Sequence, residues 1–228
     1  MSLKLLKNNK ILIIAAHPDD EILGCGGTIL KLKKKNKIKV IFLTNGVSAR
    51  TKNKNKILKR KTECLSLFKY LNLEKPTFFN FPDNQLDKIP LLRIIKKLEK
   101  IIKNFKPKII FTHFENCLNI DHRIAYKATI TACRPLKDIS VKEILSFEVL
   151  SSSDWAIFNK KNFHPNYFVK IDNQIKEKLK ALKFYKSELR KYPHSRSLKA
   201  TEALAKVRGV SSGCRYAEGF ISVRKIID

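Results

Sequence analysis

His17, Asp19 and Asp20 stand within four positions of one another in the stretch AHPDDE, directly after the apolar run 11–16. Three apart at a strand-to-helix turn, His17 and Asp20 can point to the same side of a first helical turn, while Asp19 between them projects elsewhere. Adjacent carboxylates repel and raise one another's pKa, so Asp19, Asp20 and Glu21 together need a compensating positive charge, and a metal ion is the direct candidate. That geometry would let His17 and Asp20 bind the metal and leave Asp19 free as a base within reach of its water. A third ligand has to come from a distant loop, and NIDHR supplies His122 beside Asp121. A His, Asp, His set leaves an open position for water, as catalytic zinc requires. The plainer alternative makes the three acids partners of a helix dipole and His17 a turn residue. Three acids in a row after a buried strand exceed what a dipole asks for, and a second His-bearing loop adds to the excess.

Short β-branched runs alternate with longer amphipathic segments, the pattern of βαβ units around a parallel sheet. Strands are expected at 11–16, 39–43, 77–81, 109–112, 144–149 and 167–171. Helices are expected at 22–35, 54–71, 89–104, 123–133, 174–189 and 198–208. The fold class is therefore α/β, Rossmann-like, a mainly parallel sheet with helices on both faces, in a single domain spanning 1–228. In such open sheets function gathers beyond the carboxyl ends of the strands. The loops at 17–20, 44–46, 82–84 and 113–122 each follow a predicted strand, so four polar loops should converge on one edge. GCGG (24–27) lacks the full G-x-G-x-x-G order of a nucleotide loop, and tight packing of helix on sheet is the better explanation. Residues 151–153 and 160–166 read as loops.

The 228 residues suffice for one substantial core, and 43% of them are hydrophobic. The formal charge of +28 would ordinarily suggest nucleic acid or an anionic membrane surface. The excess is mostly Lys spread along the whole chain, as in KLKKKNK (31–37) and KNKNKILKRK (52–61), and no nucleic-acid-binding motif accompanies it. No specific nucleic-acid partner is expected, although a basic surface would attract anionic substrates. Five scattered cysteines without a C-x-x-C pair argue against a disulfide framework and against a structural zinc site, and fit a reducing cytoplasm. The basic residues before the first apolar run superficially resemble a signal peptide, but that run is too short for one. No stretch approaches the length of a transmembrane segment.

AHPDDEILGCGGTI resembles the signature of the PIG-L/LmbE family of zinc-dependent N-deacetylases. LNIDHR (118–123) is similar to the family's second metal motif, Arg60 with Glu63 to its Arg-x-x-Glu, and FPDN (81–84) to its third-strand loop. HPNYFVKI, PHSRS and RGVSSGCRYAEGF match its C-terminal half, so most of the chain is covered. The resemblance implies a cytoplasmic hydrolase that removes the acetyl group from an N-acetylated amino sugar, with zinc, or iron(II) or another divalent ion, on His17, Asp20 and His122. It makes Asp19 the general base and puts Asp121 behind the ligands, orienting an imidazole or carrying charge. Many members carry a histidine for the oxyanion where this chain has Asn119. The task then falls to His194, His113 or Asn119, the two histidines ranking above the asparagine. Asp83, Asn84 and Asn119 are expected near the sugar. Arg60 and Arg196 suit its hydroxyls or a phosphate, because a guanidinium makes planar paired bonds.

The expected substrate is nucleotide-linked, lipid-linked or another glycoside, from surface-polysaccharide or related sugar biosynthesis. A thiol-glycoside precursor ranks second. The rival class is a non-catalytic basic protein that binds nucleic acid or a membrane surface. Homo-oligomer formation is left open.

Overall fold

The computed structural model describes residues 8–49, 53–137, 139–156 and 162–227. Lys4 and Lys7 of the leading basic segment, Lys52, and residues 160 and 161 of the expected loop lie outside them.

The run KILIIA forms β1 (Lys10–Ala15), and all but its first residue are buried. A strand covered on both faces reads as continuous rather than alternating apolar sequence. Ile11, Ile13 and Ala15 enter one core layer, and Leu12, Ile14 and Ala16 enter the other. The first layer holds α1 (Asp20–Leu32), α2 (Lys54–Tyr70) and α5 (Ile175–Leu182) against the sheet. The second holds α3 (Leu91–Phe105) and α4 (Ile120–Ala132). Helix α6 (Leu198–Val210) adds Ala205 to the first layer.

The remaining strands are β2 (Lys37–Thr44), β3 (Thr77–Phe81), β4 (Ile109–His113), β5 (Glu143–Phe147), β6 (Tyr167–Lys170) and β7 (Ala217–Lys225). They form one sheet in the order β3-β2-β1-β4-β5-β7-β6. The five from β3 to β5 are parallel, and β7 is antiparallel to both of its neighbours. The mainly parallel α/β architecture is thus as expected. Because β1 pairs with β2 on one side and β4 on the other, the strand order reverses beside β1. The carboxyl ends there flank the crevice where open α/β sheets bind ligands.

Several boundaries differ from the sequence-based expectation. β7 was not expected, because its nine residues mix Gly219, Arg224 and Lys225 with the apolar ones. The expected helix 174–189 stops at Leu182, after which Tyr185 and Glu188 turn inward to buried partners. Helix α4 begins three residues earlier than expected, since Asn119 caps it by accepting the Asp121 N–H at 2.8 Å.

GCGG does pack helix on sheet. A side chain at Gly24 would run into the ring of Phe147, and one at Gly27 would meet Ile171 at 2.8 Å. The same segment breaks α1, with Cys25 at φ −144° and ψ 24°. The break is capped from both sides. Glu218 on β7 accepts the N–H groups of Gly27 and Thr28, each at 2.7 Å. Lys178 on α5 donates to the Leu23 carbonyl at 3.0 Å and to Glu218 at 2.6 Å. The first turn of α1 is thereby aimed separately from the rest of the helix.

Candidate metal centre and active site

His17 follows β1, Asp20 opens α1, and His122 sits in the first turn of α4. Adjacency of β1 and β4 brings the two segments together. His17 Nδ1 lies 3.1 Å from Asp20 Oδ2, His122 Nε2 lies 3.3 Å from the same oxygen, and the two nitrogens are 3.2 Å apart. Tetrahedral zinc with bonds of roughly 2.0 Å separates its donors by about 3.3 Å. The three atoms are therefore spaced like one face of such a tetrahedron, and all three residues are buried. The donor chemistry and spacing fit a divalent cation.

The carboxylates gathered here favour positive charge. Burial alone would lower the pKa of His17, but Asp20, Asp121 and Asp83 outweigh it and hold it well above its ordinary value. Burial would raise Asp20, yet His122, His17 and His113 hold it well below the usual carboxylate range. Burial, with His113 alongside, pushes His122 down to about 3, so its imidazole is neutral and available as a ligand.

The residues behind these donors set their orientation. His17 Nε2 lies 3.1 Å from Asp121 Oδ2 and 3.1 Å from Asp83 Oδ1. A proton held there leaves Nδ1 as the lone-pair donor, the usual carboxylate–imidazole–metal arrangement. Asp121 is itself fixed by the backbone N–H groups of Asn84 at 2.6 Å and Leu86 at 3.0 Å. Asp83, expected near the sugar, thus stands against His17, and Asn84 is held through its backbone. Gly46, at φ +69°, passes so close to Pro18 that a Cβ there would sit 3.0 Å from it. Glycine is what that left-handed, crowded position accepts.

Asp19 occupies the N-cap position of α1 without making a cap bond. Its Oδ2 meets Arg60 at 3.0 Å and Arg196 at 3.5 Å, while Oδ1 is buried without a hydrogen-bond partner among the described residues. Arg60 is only 1% exposed. Both arginines also bind the buried Glu188, at 3.2 and 3.0 Å. Arg60 and Arg196 are therefore largely engaged by carboxylates of the protein itself.

A cavity of about 590 Å³ opens here, lined by His17, Asp19, Arg60, Asp83, Asn84, Asn119, His194 and Arg196 among others. Every expected substrate contact lines it. Of the three oxyanion candidates, His194 and Asn119 line the cavity, and His113 does not. His113 is fully buried, accepts the Ala16 N–H at 2.8 Å and stacks on His122 with ring centroids 3.9 Å apart. Asn119 spends its side-chain oxygen on the α4 cap. His194 accepts the Arg196 N–H through Nδ1 at 3.0 Å, which puts its own proton on Nε2.

Glu188, Ser151, Trp155 and Arg190 also line the cavity and were not singled out in the sequence. Glu188 sits in KSELR, where an acid among basic residues reads as solvated surface. Its inward turn depends on α5 ending early.

The family model described as PIG-L, GlcNAc-PI de-N-acetylase, matches residues 12–133, more than half of the chain. The chain belongs to the PIG-L family. The matched segment contains His17, Asp19, Asp20, Arg60, Asp121 and His122, while Glu188, His194 and Arg196 lie beyond it. The uncharacterized deacetylase YaiS of Escherichia coli K12 is 31% identical over 188 residues, 79% of this chain and 92% of that protein. Diacetylchitobiose deacetylase of Thermococcus kodakarensis is 28% identical over 229 residues, 92% of this chain and 81% of that protein. The solved structure of N,N'-diacetylchitobiose deacetylase from Pyrococcus horikoshii shares the fold, with a TM-score of 0.76 at 23% identity over 95% of this chain and 84% of that one. This PIG-L member is a deacetylase-type hydrolase with a metal-binding His/Asp cluster. Among the described residues no helix is long and apolar enough to cross a membrane.

Proposed function

We propose that this protein hydrolyses the N-acetyl group of an amino sugar joined to an anionic carrier, nucleotide-linked or lipid-linked, with zinc held by His17, Asp20 and His122. The observation that carries the proposal is the three-donor face of His17, Asp20 and His122 with an Asp19 oxygen that has no partner among the described residues, beside a cavity that His17 and Asp19 line. A divalent ion bound there supplies Lewis acidity to the amide carbonyl and eases deprotonation of water near neutral pH.

Asp19 Oδ1 takes a proton as a water oxygen attacks the carbonyl carbon, and Arg60 and Arg196 keep Oδ2 in place. The Nε2–H of His194 meets the charge that grows on the carbonyl oxygen. When the C–N bond breaks, Asp19 returns its proton to the departing amine, giving acetate and a free amino sugar. Asp121 and Asp83 keep His17 in the tautomer that presents Nδ1. His113, behind His122 and away from the cavity, fits a packing role better than an oxyanion role. Asn84 and Asn119 are placed for sugar hydroxyls, Asn119 through its amide NH₂.

With Arg60 and Arg196 bound to Asp19 and Glu188, Arg190 is the better candidate for a phosphate. Its guanidinium donates to the backbone carbonyls of Ser187 and Leu189, at 2.9 and 3.3 Å, and to no carboxylate among the described residues. Exposed Trp155 offers a flat face to a sugar or base on the same cavity. Residues beyond 133 are read as part of the same domain, since β5, β6 and β7 extend the sheet and Glu188, His194 and Arg196 complete the cavity.

The test is acetate release from N,N'-diacetylchitobiose and from UDP-N-acetylglucosamine, with and without chelator. Chelator-sensitive release, larger with the anionic substrate and reduced toward the neutral one's level by Arg190→Gln, is expected. Release that survives complete metal removal contradicts the proposal.

A further inference from the structure

Asp19 is held in an unusual conformation, with φ 129° and ψ −28°. For a residue bearing a side chain such a backbone costs on the order of 1–3 kcal/mol and persists only where its surroundings enforce it. The enforcing contacts are specific. The Asp19 N–H donates to Glu21 Oε2 at 2.9 Å. Its carbonyl accepts from Ile22 and Leu23, at 3.1 and 2.9 Å. Glu21 is fully buried, and its other oxygen bonds the Tyr185 hydroxyl at 2.5 Å. The Tyr185 ring in turn lies 5.1 Å from the guanidinium of Arg60, which holds the Asp19 carboxylate.

We infer that Glu21 and Tyr185 form one positioning unit for Asp19, Glu21 fixing its peptide and Tyr185 supporting the arginine that fixes its carboxylate. This rests on the reading of Asp19 as the base. Neither residue lines the cavity, and neither belongs to the three-donor set. The unit therefore acts through Asp19 and touches neither substrate nor cation. A first-turn acid that served only the helix dipole would lie exposed near solvent; Glu21 instead spends both oxygens on buried partners.

The test uses the zinc-loaded full chain with N,N'-diacetylchitobiose, measuring kcat, KM and zinc content for Glu21→Gln, Glu21→Ala and Tyr185→Phe, with a crystal structure of Glu21→Ala. Gln reproduces both bonds, its carbonyl accepting the Asp19 N–H and its amide donating to Tyr185. Misplacing a catalytic group by about 1 Å costs on the order of a hundredfold, so Glu21→Ala should lose roughly ten- to a hundredfold in kcat with KM and zinc stoichiometry unchanged. Glu21→Gln should stay within about threefold of wild type, and Tyr185→Phe, which keeps the ring under Arg60, should fall between the two. In the crystal, Asp19 of Glu21→Ala should relax from positive φ and leave Arg60. Unchanged kcat in Glu21→Ala, or a loss that merely follows zinc content, overturns the inference. So does a crystal in which Asp19 keeps its conformation without Glu21. Full activity of Asp19→Asn, or no acetate from wild type, would instead sink the reading of Asp19 as the base, and the crystal would still judge the positioning unit.

Discussion

At the residue scale, Asp19 is the base of the proposed reaction. Replacing it by Asn keeps its size and removes its basicity, so kcat should fall on the order of 10²–10⁴-fold while bound zinc stays stoichiometric. Steady-state acetate release beside metal analysis checks both halves. Glu21 gives a pH prediction of its own. Burial pushes its pKa from an ordinary 4.5 up to about 8, so the folded chain keeps a proton that the unfolded chain has released. The stability tied to that proton is complete below pH 4.5 and is lost as pH rises through 8. Wild type should therefore lose melting temperature relative to Glu21→Gln between pH 5 and pH 9, as read by thermal unfolding; parallel curves would contradict this. That His17, Asp19, Asp20 and His122 meet in space is legible from sequence, because each sits in a loop or first helical turn that follows a strand of the parallel sheet. Glu188 and Glu21 are harder to assign, since what distinguishes them is the burial of their carboxylates, which no local pattern announces.

Individual elements matter here for how they aim those residues. The break in α1 lets its first turn, which carries Asp20 and the Asp19 cap, be set apart from the body of the helix. Glu218 and Lys178 seal that break from β7 and α5. Removing one partner of a buried ion pair leaves the other charge uncompensated, at a cost of about 3–5 kcal/mol. Glu218→Ala should lose stability of that order in urea unfolding, and a change below about 1 kcal/mol would show that the break holds itself. The parallel strands and their helices are legible in the alternation of short β-branched runs with amphipathic ones. β7 is not, because an antiparallel strand with a glycine and terminal basic residues lacks that signature. GCGG signals close packing, but the break it creates becomes visible only with Glu218, which is remote in sequence and adjacent in space.

Across the whole molecule, the strand order determines which loops can cooperate. β1 and β4 are neighbours, so segments far apart in the chain meet at the reversal of the sheet, and the C-terminal half adds Glu188, His194 and Arg196 to the same cavity. With a net charge of +28, the chain would concentrate the proposed anionic substrate near its surface, an effect that weakens with salt. Added salt should therefore raise KM for UDP-N-acetylglucosamine more than for N,N'-diacetylchitobiose in acetate-release assays, and equal responses would remove any steering role. The most direct measurement of the metal centre is an anomalous-scattering map at the zinc edge from crystals of protein loaded with one equivalent of zinc. A single strong peak about 2.0–2.2 Å from His17 Nδ1, an Asp20 carboxylate oxygen and His122 Nε2 is expected. A peak bound instead by Asp83 and Asp121, or no ordered peak near these residues, would contradict the assignment.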